Sequence, residues 1–245
     1  MMRVLSFVLL LLMWRDVAAE PITLTAADGV KIYGEVWRAA DARAPVILAF
    51  HQAGSSHAEY APLAGRLNKA GFTVLAIDQR SGGNEFGGMN ATVAAIGRSA
   101  AYDAALPDLA AALTWGTTNA NGAPVLVWGS IYSAALVFVL AAQYPEAIAG
   151  VLAFSPGEYL GRNNAVKIAA AKVKVPVFVT QADSPDEIAE ARAIVQATAS
   201  TRKLQFVPTQ GGVHGTSTLR TDRNKPGAEE NWQAVQAFLN TFKRP

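Results

Sequence analysis

One pattern recurs along the chain from Pro45 onward: a continuous apolar run of strand length, then a segment whose apolar residues have helical spacing. Unbroken apolar runs are typical of strands buried on both faces, and the intervening helices supply that cover. The pattern therefore predicts an α/β fold, with a mostly parallel sheet and helices on both of its faces. The predicted strands are 45–50, 72–77, 124–128, 150–154, 175–180 and 203–208. The predicted helices are about 58–70, 100–116, 132–143, 164–171, 187–199 and 228–242.

Before this repeat, two runs of alternating apolar and polar residues, 22–25 and 30–37, flank the turn Ala27-Asp28-Gly29. Alternation around an Asp-Gly turn is typical of a β-hairpin, so we expect an antiparallel hairpin at the N-terminus of the fold.

The 245 residues, 51% of them hydrophobic, suffice for one sizeable core, and we expect a single domain over 20–245. The formal net charge is +2 with no basic stripe, so nucleic acid is not an expected partner.

The first 19 residues have the three parts of a secretory signal peptide. Arg3 precedes an apolar run over residues 4–14, and small residues end at Ala19. The run is short for a bilayer span, so we predict cleavage after Ala19, a secreted or periplasmic protein, and no stable membrane insertion.

The chain has no cysteine, which excludes disulfides, thiolate metal sites and a cysteine nucleophile. No His, Asp or Glu cluster has zinc or calcium spacing, and we expect neither a metal nor a cofactor.

The most informative segment is the apolar run that begins at Val125 and continues through Gly129, Ile131 and Ser133 into a helical stretch. It predicts a buried strand, a sharp turn and a helix, which is the setting of a Gly-x-Ser-x-Gly nucleophile elbow. Small residues two before and two after the nucleophile let strand and helix approach, and Gly129 and Ser133 hold those places. Position 131 is therefore the nucleophile position. Ile131 has neither a lone pair nor an acidic proton with which to attack a carbonyl.

Two serines flank this position, and neither fits the elbow. A nucleophile at Ser130 would require Trp128 as the preceding small residue, and a nucleophile at Ser133 would require Ile131. We therefore assign catalysis to neither serine. Isoleucine is also a poor structural choice, because an elbow residue adopts a positive φ that strains a β-branched side chain.

The chain contains three histidines. His214, in the segment Gly211-Gly-Val-His-Gly215, follows the last predicted strand and is the predicted general base. His51 ends the first parallel strand and marks the loop that we expect to supply oxyanion donors. His57 is predicted to be a solvated first-turn residue of a helix, with no chemical role.

The acid that orients the base should follow the fifth parallel strand, where Asp183, Asp186 and Glu187 are available. The segment Ser184-Pro185-Asp186-Glu187 is typical of a capping box, which gives Glu187 a structural function and places Asp186 near a helix N-terminus. Asp183 has no such explanation. We therefore rank Asp183 first, Asp186 second and Glu187 third. Glu158, after the preceding strand, is an outside candidate for the acid or for a wall of the cleft.

The predicted oxyanion donors are the backbone N–H groups of Ala53, with Gln52 as the alternative, and of Tyr132. The glycine-rich loop 81–90 follows the second parallel strand and therefore lies on the ligand-binding edge of the sheet. This loop is either a flexible connection or a wall of the binding cleft, in which Phe86 would contact an apolar substrate.

Taken together, these segments resemble a dienelactone-hydrolase-like α/β-hydrolase. The resemblance rests on Gly-Ser-x-Tyr-Ser-Ala at 129–134, His-Gln-Ala-Gly at 51–54, Asp-Gln-Arg-Ser-Gly-Gly at 78–83 and His214-Gly215, and it covers essentially the whole mature chain. It implies the α/β-hydrolase fold, a nucleophile–acid–histidine triad, and a small-molecule ester or lactone as substrate. The sequence departs from the pattern at Ile131, which removes the nucleophile and leaves the fold intact.

Two functions from different classes follow. The first is a hydrolase scaffold for carboxylic ester or lactone cleavage that is inactive because Ile131 stands in place of its nucleophile. The second is a natural non-catalytic member that binds a small ester-like ligand or a protein partner. The retained His214 favours the first, since a binding protein has no use for a general base.

Overall fold

The computed structural model describes residues 18–243, which contain one eight-stranded sheet with helices packed against it. The signal peptide predicted at 1–19 lies, up to residue 17, outside the described residues, and its cleavage stays a prediction. The strands are β1 (Glu20–Thr25), β2 (Lys31–Trp37), β3 (Val46–Phe50), β4 (Thr73–Ile77), β5 (Val125–Ser130), β6 (Gly150–Phe154), β7 (Val177–Thr180) and β8 (Lys203–Phe206). The helices are α1 (Ala61–Lys69), α2 (Ala91–Ile96), α3 (Leu106–Asn119), α4 (Tyr132–Gln143), α5 (Ala165–Ala170), α6 (Pro185–Ala197) and α7 (Ala228–Asn240).

The order of strands across the sheet is β1-β2-β4-β3-β5-β6-β7-β8. Strand β2 pairs antiparallel with both β1 and β4, and every pairing from β4 to β8 is parallel. The predicted N-terminal hairpin and the mostly parallel sheet are therefore confirmed. Since parallel strands all point the same way, their carboxyl ends meet at one edge of the sheet, where a ligand site is expected.

The core has two layers, one on each face of the sheet. Along β3, Val46, Leu48 and Phe50 pack on the face covered by α3 and α4, while Ile47 and Ala49 pack on the face covered by α1 and α7. Every residue of β3, β5 and β6 is buried. This burial explains why these strands read as unbroken apolar runs rather than as alternating ones.

The start of one helix and the presence of another differ from prediction, for reasons of proline and capping chemistry. Helix α3 begins at Leu106, because Pro107 occupies its first turn and residues Tyr102–Ala105 form a separate 3₁₀ turn. Helix α2 was not predicted. It is a six-residue helix that Asn90 caps by accepting a hydrogen bond from the Val93 N–H at 2.8 Å. Within residues 18–243, no helix has the length and apolar character needed to cross a bilayer.

Candidate active site

Residue 131 lies at the apex of the turn between β5 and α4. Its backbone has φ 57° and ψ −111°, a conformation that costs a β-branched residue on the order of 1–3 kcal/mol. The Ile131 N–H donates to the Phe154 carbonyl at 2.8 Å, which fixes the turn on the neighbouring strand. A Cβ at Gly129 would overlap the carbonyl of Ser133, so only glycine fits two residues before the apex. The structure thus places the isoleucine where an elbow carries its nucleophile.

The two neighbouring serines are both buried and both committed to other partners. The Ser130 hydroxyl accepts a hydrogen bond from the Thr216 N–H at 3.0 Å. The Ser133 hydroxyl donates to the His51 carbonyl at 2.6 Å and accepts from the Gln79 side-chain amide at 2.6 Å. Neither hydroxyl is hydrogen-bonded to His214. Ser130 and Ser133 therefore hold the turn together and are not in position to act as nucleophiles.

The predicted base is paired with a carboxylate, but not with the one that we ranked first. His214 Nδ1 lies 2.9 Å from Glu187 Oε1, and 44% of the His214 side chain is exposed. Asp183 and Asp186 are exposed and make no hydrogen bond to His214. The ranking of Asp183 and Asp186 above Glu187 is therefore wrong. A histidine that donates through Nδ1 presents the lone pair of Nε2 to a substrate or nucleophile.

The reason for this misassignment lies in the start of α6. Ser184 caps the helix by accepting from the Glu187 N–H at 3.4 Å, as the capping-box pattern predicts. The Glu187 side chain does not complete that box. Its Oε2 instead accepts from the Ala182 N–H at 3.1 Å, which leaves Oε1 for His214. One residue thus serves both the helix end and the imidazole, and the sequence pattern showed only the first of these functions.

Ser155 is a site residue that the sequence did not reveal. It follows β6 with φ 51°, and its hydroxyl accepts from the Gly215 N–H at 2.9 Å while also interacting with Glu187. Burial of Glu187 favours its neutral form, but hydrogen bonds from His214, Ser155 and the Ala182 N–H hold the pKa of this carboxyl below its ordinary value. Glu187 therefore faces His214 as a carboxylate. The only sequence signal for Ser155 was its place at the carboxyl end of a parallel strand.

The loop after β3 carries the predicted oxyanion donors, and one of them is occupied. The Gln52 N–H donates to Glu59 Oε2 at 2.7 Å, so Gln52 as the alternative donor is wrong. Among the described residues, the N–H groups of Ala53 and Tyr132 have no hydrogen-bond acceptor. These two backbone groups therefore remain available to a ligand oxygen.

The orientation of the Ala53 N–H follows from the ring of His51. His51 Nε2 accepts from the Gln79 N–H at 3.0 Å, so the proton lies on Nδ1, which donates to the Gln52 carbonyl at 2.8 Å. Because C=O and N–H point in opposite directions across a trans peptide, the Ala53 N–H is directed away from the His51 ring. Burial lowers the pKa of His51 to about 4, so the ring stays neutral near neutral pH.

Two further predictions need correction. His57 is not a solvated residue without a partner, since its Nδ1 lies 2.8 Å from the buried carboxylate of Asp78. Burial opposes protonation of His57, but the hydrogen bond and charge of Asp78 raise its pKa above the ordinary value. Glu158 caps α5 by accepting from the N–H groups of Val166 and Lys167 at 2.9 and 3.1 Å, so it is not an acid for the base.

A cleft of about 590 Å³ opens beside the imidazole. Its lining residues are Gln52, Glu85, Phe86, Val213, His214, Ser217 and Arg223. Phe86 has φ 61°, and the guanidinium groups of Arg220 and Arg223 lie 5.0 and 5.4 Å from its ring centre. Loop 81–90 was predicted to be either a flexible connection or a wall of the binding cleft. The structure supports the second interpretation, because Phe86 lines the cavity.

The base loop also lies directly against the elbow. A Cβ on Gly215 would be 3.1 Å from Ile131 Cγ1 and 3.2 Å from Gln52 Oε1. The elbow, the oxyanion loop and the base loop thus meet at one point of the sheet edge. Within residues 18–243, no three His, Cys, Asp or Glu side chains are grouped so as to hold a metal ion.

Among known protein families, the chain matches the one described as serine aminopeptidase, S33, over residues 41–181. The match covers more than half of the chain and includes both the oxyanion loop and the elbow. The chain belongs to this family. The matched segment ends before Glu187 and His214, so the acid and the base rest on the geometry described above. No curated protein sequence matches the chain.

Solved structures with the same fold include several hydrolases. An esterase from Pyrococcus furiosus is 20% identical with a TM-score of 0.69, over 92% of this chain and 93% of that one. A dienelactone hydrolase from Anabaena variabilis is 17% identical with a TM-score of 0.70, over 94% and 100% of the two chains. A carboxyl esterase from Bacillus coagulans is 11% identical with a TM-score of 0.68, over 92% and 99%. The α/β-hydrolase fold and the resemblance to dienelactone-hydrolase-like enzymes are thereby confirmed.

Proposed function

We propose that this α/β-hydrolase is a scaffold for carboxylic ester or lactone hydrolysis whose acyl-transfer chemistry is switched off by Ile131. The observation that carries the proposal is the combination of an apolar residue at the elbow apex with an intact His214–Glu187 pair 2.9 Å apart. The free N–H groups of Ala53 and Tyr132 support it, because two such donors stabilise the oxyanion of a tetrahedral intermediate. A protein with no hydrolytic ancestry has no need for this arrangement.

In the active form of this site, a hydroxyl at position 131 would attack the substrate carbonyl while His214 Nε2 accepts its proton. Glu187 would hold the imidazole in the Nδ1–H tautomer and stabilise the imidazolium. The negative charge on the carbonyl oxygen would be met by Ala53 and Tyr132. With isoleucine at the apex, the first of these steps has no nucleophile, so no acyl-enzyme forms. The structural neighbours include esterases and a dienelactone hydrolase, which supports esters or lactones as the substrate class.

A fluorophosphonate probe, which reacts covalently with activated serines, tests the nucleophile position. We expect no labelling of the unmodified chain and stoichiometric labelling of the Ile131→Ser variant at residue 131, detected by mass spectrometry of the intact protein and its peptides. Labelling of the unmodified chain at Ser130 or Ser133 would overturn the proposal. If Ile131→Ser folds and is neither labelled nor active, the second function, a non-catalytic protein that binds an ester-like ligand or a partner, gains support instead.

The choice of acid can be tested in the Ile131→Ser background. Glu187→Gln is expected to lower kcat for p-nitrophenyl acetate on the order of 10²- to 10⁴-fold, because an amide favours the wrong imidazole tautomer. Asp183→Asn and Asp186→Asn are matched controls and should stay within about 3-fold, since surface changes away from the site have small effects. Comparable losses in Asp183→Asn would restore our original ranking.

We further propose that the protein acts outside the cytoplasm. The support is the charged, apolar and small-residue segment at 1–19. N-terminal sequencing of protein expressed with its complete N-terminal segment should then begin at Glu20. Material that begins at residue 1 or 2 would contradict cleavage.

A further inference from the structure

Glu59 is a buried carboxylate directly behind the oxyanion loop, and the mechanism above does not use it. It ends the 3₁₀ turn His57–Glu59 and has no exposed surface. Its Oε2 accepts the Gln52 N–H at 2.7 Å, and its Oε1 is buried without a hydrogen-bond partner among the described residues. Burial of such a carboxylate is unfavourable, because the group loses its hydration and the protein's hydrogen bonds replace only part of that lost free energy.

The groups that influence Glu59 come from several segments around the site. The Ser130 hydroxyl, one residue before the apex, interacts with the carboxylate and also accepts from the Thr216 N–H of the base loop. The positive charge of Arg220 favours the ionised form of Glu59, whereas the negative charge of Glu85 disfavours it. Burial is the largest influence and raises the pKa of Glu59 to about 7. Tyr60, the next residue along the chain, is also fully buried.

We propose that Glu59 is the positioning residue of the oxyanion loop: it fixes the Gln52 N–H and thereby keeps the Ala53 N–H free and directed at the substrate oxygen. This role rests on the proposed ester-cleaving function. The geometry supports it because the first of two successive peptides is held at both its carbonyl and its N–H, and the second is held at its carbonyl alone. In the first, the His51 carbonyl accepts from Ser133 and the Gln52 N–H donates to Glu59. In the second, the Gln52 carbonyl accepts from His51, which leaves only the Ala53 N–H unbound.

Removal of the carboxylate would leave the partly buried Gln52 N–H without its acceptor. The loop would then have to rotate to satisfy this donor, and the Ala53 N–H would turn with it. A donor displaced by about 1 Å from the developing oxyanion costs on the order of 10²-fold in rate. An apolar side chain at position 59 would be easier to bury than a carboxylate. Residues that lower stability in this way are found mainly at functional sites, which is consistent with a functional role for Glu59.

Kinetics in the Ile131→Ser background provide the first arm of the test. Glu59→Ala should lower kcat for p-nitrophenyl acetate by about 10- to 100-fold and change KM by less than about 3-fold, since the lost donor acts on the transition state. Glu59→Gln should recover most of this loss, because a carboxamide oxygen still accepts the Gln52 N–H. Glu158→Ala, which removes a carboxylate that accepts two backbone N–H groups away from the loop, is the control and should leave kcat unchanged. An unchanged kcat in Glu59→Ala, or an equal loss in Glu158→Ala, would overturn the proposal.

The second arm needs no catalytic activity and uses the chain with its isoleucine. In two-dimensional amide NMR spectra, the Gln52 and Ala53 signals should titrate together with a midpoint near the pKa of about 7. The titration should disappear in Glu59→Gln and persist in Glu158→Gln. Gln52 and Ala53 signals that titrate unchanged in Glu59→Gln, or that keep their positions in Glu59→Ala, would show that Glu59 does not hold the loop. If Ile131→Ser is inactive, the proposed function fails while this arm still decides the role of Glu59.

Discussion

A chain that carries Ile131→Ser is expected to hydrolyse p-nitrophenyl acetate on the order of 10³- to 10⁵-fold faster than the unmodified chain. The unmodified site retains its oxyanion donors and its base, so it should give only the residual acceleration of a triad without a nucleophile. That residual is on the order of 10³–10⁴ over water. A hydroxyl at the apex restores attack, because the His214–Glu187 pair that would activate it is already formed at 2.9 Å.

Two controls separate the hydroxyl from other effects of this substitution. Ile131→Ala also removes the bulk of isoleucine and relieves the β-branched strain at φ 57°, but it supplies no nucleophile and should stay at the level of the unmodified chain. His214→Ala combined with Ile131→Ser should return the rate to that same level, because residues of a triad act as a unit. Equal rates for Ile131→Ser and Ile131→Ala in folded protein would contradict the assignment of residue 131 as the nucleophile position.

The parts of this site that could be predicted from sequence are those fixed by local chemistry. The elbow was placed at residue 131 because only small residues fit two positions before and after the apex, and the overlap that a Cβ at Gly129 would create confirms the reason. His214 was identified because few histidines exist and one of them follows the last parallel strand. The positions of the elbow and of His214 follow from the order of strands and helices alone, which the apolar runs determine.

The parts that could not be predicted depend on contacts between distant segments. Glu187 looked like a helix cap, and its reach to His214 is set by where the base loop passes α6. Gln52 looked like a possible donor until the fold brought Glu59 against its N–H. His57 looked solvated because Asp78 is 21 residues away in sequence. Each case is a polar group whose partner is chosen by tertiary structure, where sequence spacing carries no information.

The second large effect concerns stability. Asp108→Ala is expected to lower the free energy of unfolding by about 3–5 kcal/mol, because it removes the buried acceptor of both the Arg80 backbone N–H and the Arg80 guanidinium. Asp108 is fully buried, and its carboxylate accepts from the Arg80 backbone N–H at 2.8 Å and from Arg80 Nε and Nη2 at 2.9 and 2.6 Å. Arg80 is 8% exposed, so water cannot replace these bonds. This pair ties the end of β4 to the first turn of α3.

Chemical denaturation at neutral pH gives the measurement, and two further variants show where the effect comes from. Asp28 also binds the Arg80 guanidinium, but 43% of its side chain is exposed, so Asp28→Ala should cost less than about 1 kcal/mol. Replacing both charges with apolar residues of similar size, Arg80→Met with Asp108→Leu, should recover most of the lost stability, because no buried charge then remains unpaired. If the double variant is as unstable as Asp108→Ala, the pair matters for its hydrogen bonds to the β4–α3 connection rather than for charge compensation.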